Sequence, residues 1–263
     1  MIDLHIHILP GMDDGSPYME ESLEMARIAV KSGTTELAVT PHSYADGRDY
    51  FMYTYSDVYS SFESELKKEH IKLKIHPGME ILAFPDMVKL LDAGVLKTIN
   101  NTKYALVEFK FHEEEELIRD YLSEMIAAGY KPIVAHLERY EAVQENELFA
   151  FDMADMGCVL QMNKGSIAGK FGQRAEKAAW RMLDQKLINI VASDAHRSDV
   201  RTPALDGAAR VIESEYSKQM RDVLFEKNPE RILAGQGIAR FKTERPKPAP
   251  EQPAKKKRRR LFF

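Results

Sequence analysis

The chain opens MIDLHIHILPGMDDG: His5 and His7 flank a single isoleucine, and Asp13 with Asp14 follow a Pro-Gly turn. Mixed imidazole and carboxylate donors without thiolate suit Mn, Fe or Zn better than Ca or Cu(I). Further donors of the same kinds are spread over nearly two hundred residues: His42 in VTPH, Glu80 in HPGMEI, Glu108 in YALVEF, His136 in IVAH, and Asp194 with His196 in ASDAH. Five histidines, three carboxylates and one or both of Asp13 and Asp14 are too many for one tetrahedral ion, which needs three or four ligands. They imply two or three ions that share bridging carboxylates. Such a cluster suits hydrolysis, because a bound cation brings the pKa of water towards neutrality and its neighbours neutralise charge on phosphoryl oxygens.

Arginines stand next to these donors. Arg139 lies three residues after His136, and Arg197 and Arg201 lie just beyond His196. A guanidinium fork matches two phosphate oxygens, so Arg139 and Arg201 are candidate phosphate clamps. Arg197 fits a clamp or a surface charge equally well. An isolated H-x-H pair would say little. His70 and His112 sit in charged surroundings, and the acidic run 113–116 suits a solvated helix start. The argument rests on where the other donors fall.

They fall at the ends of strands. Apolar, β-rich runs are predicted at 2–7, 36–40, 72–76, 104–109, 132–136, 158–163 and 188–194, several of them apolar throughout, as in strands covered on both faces. Amphipathic helices are expected at 20–32, 56–69, 115–129, 147–156 and 173–186, with Ser16-Pro17 capping the first and Gly33 ending it. Strands that alternate with helices form a parallel sheet. Every predicted strand except the sixth places a donor at or near its C-terminal end. A closed ring aims such ends at one point, whereas an open sheet spreads them along a line, so the expected fold is an α/β barrel.

With these residues in view, DLHIHILPGMDDG, TPHS, PGMEI, YALVEF, IVAHLERY and VASDAHRSDVR resemble the PHP-type (polymerase and histidinol phosphatase domain) tyrosine-protein phosphatases of bacterial capsule and exopolysaccharide systems. The resemblance runs nearly end to end. It implies a distorted (β/α)7 barrel and three divalent metal ions, usually Mn, with Fe or Zn as alternatives. On matching positions, His5, His7, Glu80 and Asp194 would hold one ion. Glu80, Glu108 and His136 would hold a second, and Asp14, His42 and His196 a third, with Asp13 able to exchange roles with Asp14. Arg139 and Arg201 match the positions that bind substrate phosphate. The implied substrate is phosphotyrosine on a cognate, membrane-associated bacterial tyrosine kinase, whose dephosphorylation regulates polysaccharide synthesis. Leu137 stands where some members carry proline.

Composition sets the remaining bounds. The 263 residues are 44% hydrophobic and carry a formal charge of −4. From Lys242 onward there are nine basic and two acidic residues, which leaves −11 on residues 1–241. The expected organisation is one domain, 1–241, and a disordered Pro-rich tail, 242–263, ending in KKKRRRLFF. That tail could approach an anionic membrane surface or the kinase. The acidic domain argues against a nucleic-acid partner. A small-molecule phosphomonoesterase of the histidinol-phosphatase type is the competing enzyme reading. No apolar stretch approaches the roughly 20 residues of a bilayer span, and no signal peptide is visible, so a cytoplasmic protein is expected. The lone cysteine, Cys158, lies in an apolar run with Lys164 where a Cys-based phosphatase needs arginine, so a core role is expected. Tyr104, Tyr140 and the aromatic-rich segment 44–59 are candidates for packing a phosphotyrosine ring.

Overall fold

The computed structural model describes residues 1–43 and 50–246. Among these residues nine strands appear in the order β1 (Ile2–Ile6), β2 (Glu36–Val39), β3 (His42–Ser43), β4 (Lys74–Pro77), β5 (Glu80–Leu82), β6 (Tyr104–Glu108), β7 (Lys131–Val134), β8 (Val159–Asn163) and β9 (Ile190–Ala192). Ten α-helices accompany them: α1 (Met19–Lys31), α2 (Tyr50–Lys68), α3 (Met87–Asp92), α4 (Glu115–Ala127), α5 (Glu141–Glu145), α6 (Glu147–Asp155), α7 (Gln173–Asp184), α8 (Asp206–Glu215), α9 (Lys218–Asp222) and α10 (Asn228–Leu233). All seven expected strands and all five expected helices are present. The short strands β3 and β5 and the remaining helices are additional.

Every strand pairing is parallel. One sheet runs β1-β2-β4 and the other β3-β5-β6-β7-β8-β9. The two are parts of one curled wall, because β3 continues the course of β2 and β5 that of β4. A parallel bridge between Ile6 and Ala195 joins the far ends. There the His7 N–H donates to the Ala195 carbonyl at 2.9 Å and the Asp194 N–H to the His5 carbonyl at 2.8 Å. Counted by course, the wall has seven staves, which is the expected distorted (β/α)7 barrel.

The distortion has local causes. Pro41 has no N–H to give a ladder and interrupts the course from β2 to β3. Gly78 interrupts the course from β4 to β5, and a Cβ there would lie 2.9 Å from Ile99 Cδ1 and 3.3 Å from the Val39 carbonyl. The Tyr55 hydroxyl fills the gap: it receives the Gly78 N–H and donates to the Gly78 carbonyl, both at 3.1 Å. The kink delivers Glu80 to the pocket two residues later.

Alternation along the strands divides the inner surface by depth. Leu106, Val159 and Ile190 cluster in the lower half, with Ile232 and Leu233 of α10 packed against the same group. Two or four residues further along each strand, the same faces carry Glu108, Gln161, Asn163 and Asp194. Apolar side chains therefore floor a polar mouth. Outside the wall, α7 turns Ala175, Ala178, Ala179, Met182 and Leu183 inward.

Two expectations need correction. The N-cap of α1 is Tyr18, without a side-chain cap bond, whereas Ser16 is buried and its hydroxyl donates to the Tyr18 carbonyl at 3.1 Å and accepts from Ser22. Tyr55 and Tyr59 are structural rather than ring-packing residues, since Tyr59 donates to the Ile75 carbonyl at 2.9 Å; Tyr104 donates to the Gln236 carbonyl at 2.6 Å. Residues 44–49 of the aromatic-rich segment lie outside the described residues, as does the tail from residue 247. The preceding stretch runs along α6, where Arg245 pairs with Asp155 at 2.9 Å and with Asp152.

Cys158 is fully buried just before β8, and burial pushes its thiol up to about 12. Native protein at pH 8 is expected to leave a disulfide-exchange reagent such as Ellman's reagent unreacted, and to release one thiol equivalent in denaturant. Rapid reaction of the native protein would contradict this burial.

Candidate metal centre

The first strand sets the geometry. His5 and His7 point to the same side of β1, and their Nε2 atoms face each other 3.2 Å apart. Each lies 3.1 Å from Glu80 Oε2, and Asp194 Oδ1 lies 3.6 and 3.4 Å away. The other nitrogen of each ring is already committed. His5 Nδ1 is 3.0 Å from Gln161 Oε1. That oxygen also accepts the His136 N–H at 2.9 Å, which fixes the amide's orientation, so His5 Nδ1 carries the hydrogen. His7 Nδ1 lies 2.7 Å from Asp13 Oδ2, and the same oxygen accepts the His42 N–H at 3.0 Å. Both rings are thus held by outer partners that leave Nε2 lone pairs pointing inward, the arrangement in which imidazole binds a metal. Two lone pairs and a carboxylate oxygen this close repel one another unless positive charge lies among them. The donor set fits a divalent cation.

The other expected residues surround this point. His136 Nε2 lies 2.8 Å from Glu80 Oε1 and 3.7 Å from Glu108 Oε2. His42 Nδ1 lies 3.1 Å from Glu80 Oε2 and 3.0 Å from Glu108 Oε1. Asp14 Oδ1 faces His42 Nε2 at 3.5 Å and His196 Nε2 at 3.4 Å. Among the described residues four overlapping groups can each hold an ion: His7, Asp14, His42 and His196; His5, His7 and Glu80; His5, His136 and Asp194; and His42, Glu80 and Glu108. All nine expected donors fall within these groups. Asp13 is in none of them. Its Oδ2 faces His7 Nδ1 and its Oδ1 accepts the Gly15 N–H at 2.8 Å, the position of an orienting partner. Gly15 is required here, because a Cβ would strike the carbonyl and Cβ of His7.

Charge coupling follows from the crowding. Burial opposes ionisation of Glu80 and Asp194, but positive charge at the surrounding ring nitrogens, a proton or a cation in its place, with His5 foremost, holds both well below the usual carboxylate range. Burial would depress the His42 imidazole, yet its bond with Glu108 and the charge of Glu80 hold it at about 9. His196 goes the other way: burial pushes it below its ordinary value.

The arginines take different parts. Arg201 pairs with Asp194 and lies 3.3 Å from His196 Nε2. Its Nε–H is buried without a partner among the described residues, a donor available to an oxyanion. Arg139 lies 3.8 Å from Asp194, with its guanidinium between the rings of Phe111 and Phe171 at 4.1 and 4.5 Å. Arg197 is spent on the fold, donating to the carbonyls of Asp14 and His196 at 2.8 Å each and to that of Gly15.

Sequence reasoning left the sixth predicted strand without a role. In the structure Gln161 on β8 orients His5 and His136, and passes its amide N–H to Asn163 at 2.9 Å, which in turn donates to Asp194. Glu138 was also passed over; buried in full, it accepts from the Asn163 N–H at 3.1 Å and the Ser166 hydroxyl at 2.6 Å, and burial raises it. The available signal was a polar pair, Gln161 and Asn163, on one face of an otherwise apolar strand. Tyr140 supports the site from beneath, its ring 5.8 Å from that of His136 and its hydroxyl accepting the Phe109 N–H.

Comparison with known proteins adds an independent line. The family described as capsular polysaccharide synthesis, CpsB/CapC, matches residues 1–234. Tyrosine-protein phosphatase YwqE of Bacillus subtilis is 34% identical over 262 residues, covering 100% of this chain and 99% of that protein. Tyrosine-protein phosphatase CpsB of Streptococcus agalactiae is 33% identical over 242 residues, 89% and 98% of the two chains. A chain from the crystal structures of YwqE from B. subtilis and CpsB from Streptococcus pneumoniae, described as unique metal-dependent tyrosine phosphatases, superposes with a TM-score of 0.86 at 32% identity, covering 94% of this chain and 100% of that one.

The different places of Asp13 and Asp14 can be tested by calorimetric titration with Mn. Asp13→Asn is expected to weaken the tightest binding step about 10- to 100-fold, the usual cost of losing an outer partner of a ligating histidine. Asp14→Asn is expected to remove a whole binding equivalent instead. Identical isotherms for the two variants would overturn the distinction.

Proposed function

The chain belongs to the CpsB/CapC family of capsular polysaccharide synthesis, and from that premise we propose that its polar mouth is the active centre of a metal-dependent protein-tyrosine phosphatase. The observation that carries this is the meeting of nine donors from six of the seven staves in overlapping groups, beside two arginines. We infer three divalent ions, Mn in the active enzyme, held by His5, His7, Glu80 and Asp194; by Glu80, Glu108 and His136; and by Asp14, His42 and His196. When bound, they supply an activated water and neutralise charge on the phosphoryl oxygens.

The chain's own residues supply the rest. Gln161 and Asp13 fix the inward nitrogens of His5 and His7. Glu80 spans the neighbouring groups, its two oxygens facing different histidines. Arg139 and Arg201 receive the substrate's phosphoryl oxygens, and because Phe111 and Phe171 hold Arg139 flat, little rotamer freedom is lost on binding. Arg201 then stabilises charge that develops in the transition state.

The substrate we propose is phosphotyrosine on a cognate bacterial tyrosine kinase at the inner face of the membrane, whose dephosphorylation regulates polysaccharide synthesis. Family membership favours this over a histidinol-phosphatase type of phosphomonoesterase, and a charge of −11 on residues 1–241 disfavours a nucleic-acid substrate. No helix among the described residues is long and apolar enough to cross a membrane. The basic-aromatic end, 255–263, lies outside the described residues. Its six consecutive basic side chains supply about 1 kcal/mol each of attraction to an anionic leaflet, so we place the protein in the cytoplasm with weak peripheral contact.

His136→Ala and Asp194→Ala are expected to abolish turnover of phosphotyrosyl peptides while circular dichroism stays native. Arg201→Lys should lower kcat/KM about a hundredfold. Chelation should abolish activity and Mn restore it, with three equivalents by elemental analysis. A phosphotyrosyl peptide should be preferred to histidinol phosphate; activity that survives chelation or either alanine variant would overturn the proposal. For the tail, co-sedimentation with anionic vesicles should fall when residues 242–263 are removed, and equal pelleting would remove the membrane contact.

A further inference from the structure

The mouth of the barrel has an apolar annex that the hydrolytic centre does not use. A cleft of about 740 Å³ lies between the turn after β8 and helix α8, with Ile167, Phe171, Val200 and Val211 among its walls. It opens directly from the centre, because two residues belong to both. Arg201 lines the cleft while it pairs with Asp194, and Phe171 lines it while its ring lies 4.5 Å from the Arg139 guanidinium and 5.5 Å from that of Arg201. Val200 is 65% exposed and Val211 39%.

Exposed apolar side chains elsewhere follow the same geography. Among the described residues the large ones are Tyr18, Phe111, Leu117, Val200 and Val211. Each lies in the segment or helix that immediately follows β1, β6 or β9, three strands that carry donors at or near their C-terminal ends. Isolated exposed hydrophobics are ordinary, but Val200 and Val211 stand together on the walls of one cleft, and exposed apolar residues clustered in this way mark an interaction surface. A small phosphomonoester would be swallowed by the centre and would leave this surface bare. A phosphotyrosine is different. Its ring spaces the backbone away from the phosphate, so with the phosphate at Arg139 and Arg201 the backbone must pass over the rim. In an extended peptide, alternate side chains then point back towards the enzyme.

We propose that this cleft is a specificity subsite that takes an apolar side chain of the polypeptide flanking the phosphotyrosine. The proposal rests on the phosphotyrosine reading above and adds to it a preference for substrate sequence. The occupant is a peptide segment continuous with the phosphorylated residue, since the cleft and the phosphate clamp share Arg201 and Phe171. Lys164, Lys170 and Asp199 also line the cleft; Lys164 Nζ is committed to the Thr202 and Ala204 carbonyls, so an aspartate seated against Ile167, Phe171 and Val211 would lose its hydration there and be disfavoured.

The test compares steady-state kinetics on p-nitrophenyl phosphate, which has no flanking residues, with two sets of phosphotyrosyl peptides carrying leucine or aspartate at each position beside the phosphotyrosine. The wild-type, metal-loaded enzyme should prefer leucine at one position by about tenfold in kcat/KM, the usual scale for one apolar side chain in a pocket. Val211→Asp should remove that preference through KM while leaving p-nitrophenyl phosphate turnover unchanged. Val200→Ser, at an exposed position where folding is insensitive, should do the same more weakly. No positional preference in the wild type, or parallel losses on both substrate kinds in the variants, would overturn the subsite while the phosphatase reading stands. Failure to hydrolyse either substrate kind would overturn the phosphatase reading and the subsite with it.

Discussion

Imidazole has two nitrogens, and this site depends on each being committed to a different task. A hydrogen on His5 Nδ1 is captured by Gln161 and one on His7 Nδ1 by Asp13, so the two Nε2 atoms are left facing across 3.2 Å. Neither ring can turn over without taking one donor from the Gln161 or Asp13 oxygen, the loss of a buried hydrogen bond at a cost of about 0.5–1.5 kcal/mol. The same two acceptors also bind the backbone N–H groups of His136 and His42. Two oxygens therefore set four histidines at once, and the carboxylates arrange themselves around what those histidines present.

This economy explains the split between what could be foreseen and what could not. Donors such as Glu108 and His136 were visible because they end long apolar runs, and burial on both faces leaves a strand no other reason for a charged or imidazole end. The seven staves were visible for the same reason. Gln161 was not. An amide in a strand acquires its function from the residue opposite, and the partner of Gln161 is a histidine 156 positions earlier in the chain. The short strands β3 and β5 escaped because two or three residues carry no periodicity. Ser16-Pro17 looked like a helix cap, yet Ser16 was drawn into a buried hydroxyl pair with Ser22, a tertiary contact that overrides the local preference. Tyr55 and Tyr59 misled in a similar way: a phenol suits a substrate ring, but Tyr55 was needed to mend the ladder where Gly78 breaks it.

The resemblance and the geometry support each other at different levels. Family membership identifies the class of chemistry and extends over the barrel to residue 234. It does not explain why Arg139 and Arg201 differ. The structure does: one guanidinium is clamped between two phenyl rings and the other is tied to Asp194 and His196. One cation is therefore held rigid by packing, and the other is coupled to the charge of the groups beneath it.

The backbone at the mouth carries its own signature. His136, Asp194 and Arg201 all adopt left-handed conformations, with φ of 33°, 49° and 52°. Residues with a Cβ hold such angles at a cost of about 1–3 kcal/mol each. Judged by backbone energetics alone, glycine would be the better residue at all three positions. Selection of this chain for heat resistance, with no demand on turnover, would therefore drift towards glycine there and dismantle the centre first. The three positions mark where durability and activity compete.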